Sequence, residues 1–304
     1  MRCDIMIRDL LEVLKKNDIP FEFNGNEEWE VDGFSSIYNY RENSLTWIRD
    51  IRMLHSDKCR YGDSIRCIVT AMDAPADTVF EAQIRTPDPG KAFFEIVNKI
   101  WGTVKPNAIS PAAVIEEGAV IGENVAIGAN TFISSQAVIG DNCRIGANVF
   151  MTGKITIGHD CVVQSGAALG EDGFAFIIEP DKLTHVKHYG GITIGNHVSI
   201  GANCCICRGT IDDTIIGNYV KINALCHIAH NVHIEPRTVV AAGAVIMGSV
   251  HIGSDCWIST ATIRDHRSVG SHVTVGMGSV VVSNIEDNMT VVGCPAKPLE
   301  FKNG

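Results

Sequence analysis

The stretch ISPAAVIEEGAVIGENVAIGANTFISSQAVIGDNCRI, residues 109–145, places an aliphatic residue at every sixth position. Ile109, Ile115, Ile121, Ile127, Ile133, Ile139 and Ile145 stand in one register, which Met151, Ile157, Val163 and Leu169 continue. A second run goes Ile216, Ile222, Ile228, Ile234, Val240, Ile246, Ile252, Ile258. A period of six is neither the 3.6 of a helix nor the 2 of a strand, so the chain folds back at a fixed short interval and stacks apolar residues in columns. The reading is a hexapeptide-repeat β-solenoid. Three hexapeptides close a triangle, so residues 18 apart in the sequence lie one above another at the strand spacing of about 4.8 Å.

The other repeat positions agree. Four residues after each column residue stand small or β-branched side chains such as Ala119, Val125, Thr131, Ala137, Cys143 and Cys161, which suit a tight inward corner. One residue after it glycine is frequent (Gly122, Gly128, Gly140, Gly146, Gly158), which we read as turn geometry. Five of the 11 cysteines, Cys143, Cys161, Cys204, Cys226 and Cys256, fall at the inward corner and read as reduced core residues. Cys204, Cys205 and Cys207 are the tightest cluster, and CCIC has no second half at zinc-ribbon spacing, so no metal is expected.

A net charge of −10 with no basic cluster argues against a nucleic-acid or anionic-membrane surface. The start, MRCDIMIRDLLEVLKKNDI, shows no signal-peptide pattern, and Met6, Leu10, Leu11 and Leu14 have amphipathic-helix spacing. A cytoplasmic protein with no integral membrane segment is expected.

Residues 1–103 lack the six-residue period and read as a small α/β domain. Its elements are a helix at about 5–17, short strands in WEVDGFSSI, SLTWI and IRCIVTA, and a helix in GKAFFEIVNKIW. Residues 104–293 form the solenoid, broken by an insertion at 170–191 that carries Phe174, Phe176, His185, His188 and Tyr189; such insertions usually sit on the binding face. Further register slips fall between Ile206 and Ile216 and near Arg264, and a short tail spans 294–304. The fold class is thus mainly β, a parallel β-helix with a small N-terminal α/β domain.

Within KINALCHIAHNVHI, His230 falls at a turn corner, where its side chain points outward. One coil on lies Gly248, and a further step lands on His266, within about one residue because of the slip. An imidazole beneath a bare backbone N–H, near a second imidazole, suits acyl transfer: one ring takes the proton of an attacking amine and the amide holds the tetrahedral oxyanion. The plain alternative is a solvated turn histidine. His227, His233 and His251 all fall at outward positions, His233 and His251 stacked one coil apart, and leave a metal-binding solenoid as a further alternative.

The segments GEDGFAF, RGTIDDTIIGN, HIAHNV, AGAVIMGS and GCPAKP, in that order, resemble the UDP-3-O-acylglucosamine N-acyltransferases of lipid A synthesis. DGFSSIYNYRENSLTWI, CIVTAMDAP and RTPDPGKAFFEIV resemble that family's N-terminal uridine-binding domain. The resemblance implies a left-handed helix and a homotrimer with active sites between subunits. It implies His230 as catalytic base, Gly248 as oxyanion donor and, with one residue deleted near Arg264, His266 as second active-site histidine. Trp47, Asp50, Asn223, Phe174 and Phe176 become candidate substrate-binding residues. No bound cofactor is implied; the co-substrates are an acyl-ACP or acyl-CoA thioester and a nucleotide-linked amino sugar.

Several positions depart from the family pattern. Asn223 and Ala224 stand where an LDN-like stretch is usual, and Cys207 makes ICRG of IDRG. Against TFxxNPKY, Trp47 replaces the aromatic, Asp50 the asparagine and Met53 the tyrosine. The family's C-terminal helical extension is not recognisable. These departures leave open a related enzyme of surface-polysaccharide synthesis that uses coenzyme A thioesters.

Overall fold

A computed structural model describes residues 5–57, 59–77, 79–102 and 108–299. The chain divides into two compact units, Met1–Lys105 and Pro106–Gly304. The boundary expected at 103/104 and the last five residues of the tail lie outside the described residues.

The first unit is a five-stranded sheet in the order Glu22–Gly25, Ala82–Thr86, Cys67–Ala71, Ser44–Trp47, Gly33–Phe34. Only the first pair is antiparallel. The helix Ile7–Lys16 buries Ile7, Leu10, Leu11 and Leu14, and Met6 is its N-cap residue, not a member of the apolar face as expected. The helix Pro89–Ile100 starts where the Asp88 carboxylate accepts from the Lys91 N–H at 3.1 Å and Pro89 occupies a first-turn position that needs no donor. Glu22–Gly25 and Ala82–Thr86 are strands that the sequence reading missed.

The second unit is a three-faced solenoid whose sheets hold eight, ten and nine strands, parallel except for the final Lys297–Pro298. Its register follows the 18-residue rule: Ala137 pairs with Ile155, Arg144 with Val162, Phe150 with Ala168. The rule breaks where the sequence slips. Ile155 pairs with Ile192 across the insertion, Ile192 with Thr214, and Val245 with Thr262, which are steps of 37, 22 and 17 in place of 18. The step of 17 comes from a missing residue between Ile258 and Ile263, upstream of the expected position near Arg264, and a further step of 16 pairs Thr274 with Thr290. The column residues from Ile127 on and the inward cysteines form one continuous core, so the hydrophobic contribution is spread along the axis and each coil depends on its neighbours.

The corner glycines have a different role from the one expected. The left-handed turn conformation is taken by asparagines two positions later, with φ of 54°, 58°, 58° and 56° at Asn124, Asn130, Asn142 and Asn148. Asparagine tolerates this region through local hydrogen bonding. Gly128 is needed because a Cβ there would stand 2.5 Å from the Ala147 nitrogen of the next coil. Close stacking of backbones, and not a positive φ, selects glycine at that position.

Candidate functional site

The strand His227–Ile228 ends at a corner occupied by His230 and Asn231. The next coil lies directly over it, the Ser249 N–H donating to the His230 carbonyl at 2.9 Å. The insertion folds back onto the same corner as a hairpin of Phe176–Glu179 and Lys182–His185. Together they enclose a cavity of about 810 Å³. The insertion contributes Phe174, Phe176 and His185, the solenoid wall Ala229, His230, Val245, Met247 and Gly248, and the coil above Asp265 and His266.

The imidazole of His230 is tightly held. A Cβ on Gly173 would stand 2.7 Å from its Cδ2, and one on Gly248 2.7 Å from its Nε2, so backbone closes on the ring from two sides. His188, buried and edge-on to His230 with centroids 5.3 Å apart, closes a further side. The His188 Nδ1 donates to the Val186 carbonyl at 2.8 Å, and its Nε2 has no partner among the described residues.

Asn231 decides which nitrogen of His230 carries the proton. Its Nδ2 donates to the Asp212 carbonyl at 3.0 Å, and its Oδ1 accepts from the Thr210 N–H at 3.0 Å. The amide therefore has one orientation, with Oδ1 facing the His230 Nδ1 at 3.0 Å. An acceptor there requires Nδ1–H, which leaves the lone pair on Nε2 beside Gly248. The Gly248 N–H has no hydrogen-bond partner among the described residues, and His230 and Gly248 line the same cavity.

His266 lines the cavity but stands one place from where the 18-residue rule set it. The missing residue after Ile258 puts His266 in the column of Asn231 and Ser249, all three left-handed with φ of 55°, 57° and 57°. Its N–H donates to the Gly248 carbonyl at 3.0 Å. By that register Asp265 follows His230 and Gly248 at the corner, and it also lines the cavity.

The other candidates are distributed differently. Phe174, 90% exposed, packs on Phe176 with centroids 4.9 Å apart at the cavity mouth. Asn223 sits at another corner of the same coil, exposed, its Oδ1 accepting from the Ala224 N–H; it does not line the cavity. In the first unit, Trp47 packs partly buried against Phe93 and Phe94. Asp50 caps the short 3-10 helix Ile51–His55, pairs with Arg52 and lines a separate hollow of about 440 Å³ with Arg49 and Asp73. The structure does not place Trp47 in the lining of that hollow.

Cys205, Cys207 and His227 form part of the main cavity wall, a grouping that the sequence reading did not make. Hydrogen bonds from Cys207 and His227 hold the Cys205 thiol down to about 5, and the same contact raises His227. Cys207 is pushed up by its hydrogen bond to Cys205 and by burial.

The profile for bacterial transferase hexapeptide (six repeats) matches residues 213–248, and that for the hexapeptide repeat of succinyl-transferase matches 136–171. The chain is 41% identical over 217 residues to the UDP-3-O-acylglucosamine N-acyltransferase of Delftia acidovorans, a match covering 70% of this chain and 64% of that protein. With the enzyme of that name from Cupriavidus pinatubonensis it shares 47% over 182 residues, 58% of this chain and 50% of the relative. The chain thus spans less than two thirds of the length of these relatives. Among solved structures, the UDP-N-acetylglucosamine acyltransferases of Bacteroides fragilis and Campylobacter jejuni superpose with TM-scores of 0.57 and 0.58 at 27% identity, each covering 63% of this chain and 74% of the other. By repeat, architecture and sequence, the chain is a hexapeptide-repeat β-solenoid protein related to the UDP-3-O-acylglucosamine N-acyltransferases.

Proposed function

We propose that the chain is an N-acyltransferase that moves an acyl group from a thioester to the amine of a nucleotide-linked amino sugar, UDP-3-O-acylglucosamine of lipid A synthesis. The observation that carries this reading is the His230 Nε2 lone pair, fixed by Asn231 and beside a Gly248 N–H that has no partner among the described residues. The amine nitrogen attacks the thioester carbonyl, His230 takes the amine proton, and the Gly248 N–H donates to the oxyanion. As the tetrahedral intermediate collapses, the C–S bond breaks, the amide C–N bond remains, and the imidazolium returns the proton to the departing thiolate. His266 assists by hydrogen bonding, and Phe174 and Phe176 contact the substrates at the cavity mouth.

The first unit holds the nucleotide, with Trp47 and Asp50 as the contacting residues. A homotrimer fits the apolar side chains left on the outer faces, Trp257 at 53% exposure among them, since a solenoid with such faces gains by burying them. Asn223 lies outside the cavity of its own chain, so its role in substrate binding requires a neighbouring subunit. No described helix is long and apolar enough to cross a membrane, and the reaction belongs in the cytoplasm, where its activated donors are. The test is an assay crossing acyl-ACP and acyl-CoA donors with UDP- and dTDP-amino-sugar acceptors. Amide formation with acyl-ACP and UDP-3-O-acylglucosamine is expected. Turnover confined to coenzyme A thioesters and another amino sugar would move the enzyme to surface-polysaccharide synthesis, and no turnover with any pair would overturn acyl transfer.

A further inference from the structure

We propose that Cys205, Cys207 and His227 form a binding site for one soft divalent cation of the zinc class in the wall of the cavity. Cys205, in the strand Cys205–Ile206, and Cys207, just past its end, flank the buried Ile206, and both line the cavity. The next coil places His227 directly opposite Cys205 in the parallel register. The Cys205 and Cys207 sulfurs and a ring nitrogen of His227 all lie within 4.8 Å of one another. A tetrahedral zinc with bonds of about 2.0–2.3 Å needs donors roughly 3.5–3.8 Å apart, a closure that side-chain rotation supplies.

The donor set selects the ion. Two thiolates and a neutral imidazole balance a dication, and sulfur prefers zinc or cobalt to magnesium or calcium. The neighbours of Cys205 and His227 on the adjoining coils are Ala168 and Val245, which bring no competing charge. A disulfide fits less well, because two residues apart along an extended strand sets the Cα atoms about 6.6 Å apart, near the upper limit of about 6.8 Å for that bond. Three protein ligands leave a fourth position open toward the cavity, three residues from His230.

Binding is read without turnover, so failure of this proposal and failure of the acyl-transfer reading are separate results. The full chain, reduced and freed of chelator, is titrated with cobalt(II) and then with zinc. One equivalent per chain should give thiolate-to-cobalt charge-transfer absorption that zinc abolishes. Even outer-shell partners are worth about 10–100-fold in metal affinity, so Cys205→Ser and His227→Gln should each weaken zinc binding at least that much. Absence of the charge-transfer band in the reduced wild type would overturn the proposal. So would unchanged zinc affinity in either variant. If Cys205→Ser does not fold, the wild-type spectrum and the His227→Gln affinity still decide.

Discussion

Gly248→Ala isolates the corner geometry better than removal of a side chain does. The added Cβ would stand 2.7 Å from the His230 Nε2 and 2.8 Å from Cε1, where ordinary contact begins near 3.4 Å, a shortfall of about 0.7 Å. The imidazole cannot retreat freely, because Asn231 holds Nδ1 and the Gly173 backbone lies against Cδ2. Gly248 is not in the left-handed region, so alanine fits the backbone and the strain falls on the ring. A displacement approaching 1 Å at a reacting group costs on the order of 10²-fold in rate, or about 2.7 kcal/mol in the barrier. Steady-state kcat should fall by that factor while the unfolding midpoint moves by only a few degrees. Because the effect acts through His230, adding Gly248→Ala to His230→Ala should change kcat little further. Retention of more than about a third of wild-type kcat, or full additivity in the double variant, would show that the Gly248 Cβ does not act through the His230 ring.

Other expectations concern the clamp on the insertion and the first unit. Burial works to raise the Asp213 carboxyl, but the Gly191 N–H, the Thr193 hydroxyl and Lys154 outweigh it and hold it below the usual carboxylate range. Its stabilisation is therefore present above the unfolded value and lost as pH falls through the depressed folded one. Asp213→Ala should cost about 1–3 kcal/mol near neutrality, and denaturant midpoints should show the gap to wild type closing in acid; a gap that does not change with pH would count against it. If Trp47 stacks on the pyrimidine, a folded Trp47→Ala variant loses about 1–3 kcal/mol of acceptor binding. An unchanged acceptor KM would leave Trp47 as a packing residue.

The solenoid was legible because its inward columns are a strict function of sequence position, and Ile216 to Ile258 run without a miss. The same rule failed wherever the coil length changes. Eighteen residues from Cys205 is Asn223, so the four extra residues before Thr214 concealed that His227 faces Cys205. Counting 18 from Gly248 reaches His266, within the one residue that the slip allowed, and the residue missing before Ile263 gives that place to Asp265. The role of Asn231 was hidden for a related reason: its amide is oriented by Thr210 and Asp212 of the irregular segment, whose path no period encodes. In the first unit no repeat exists, and the strand Ala82–Thr86, buried at four of five positions, lacks the alternation that marks a half-exposed strand.

In the proposed reaction His230 is the base. With the donor and acceptor identified by the crossed assay, kcat and acceptor KM are measured for wild type and His230→Ala. A general base contributes typically about 10² to 10⁴-fold, so kcat should fall within that range while acceptor KM stays close to wild type. A His230→Ala enzyme that keeps more than about a tenth of wild-type kcat would miss even the low end of that range and contradict the account at its most specific residue.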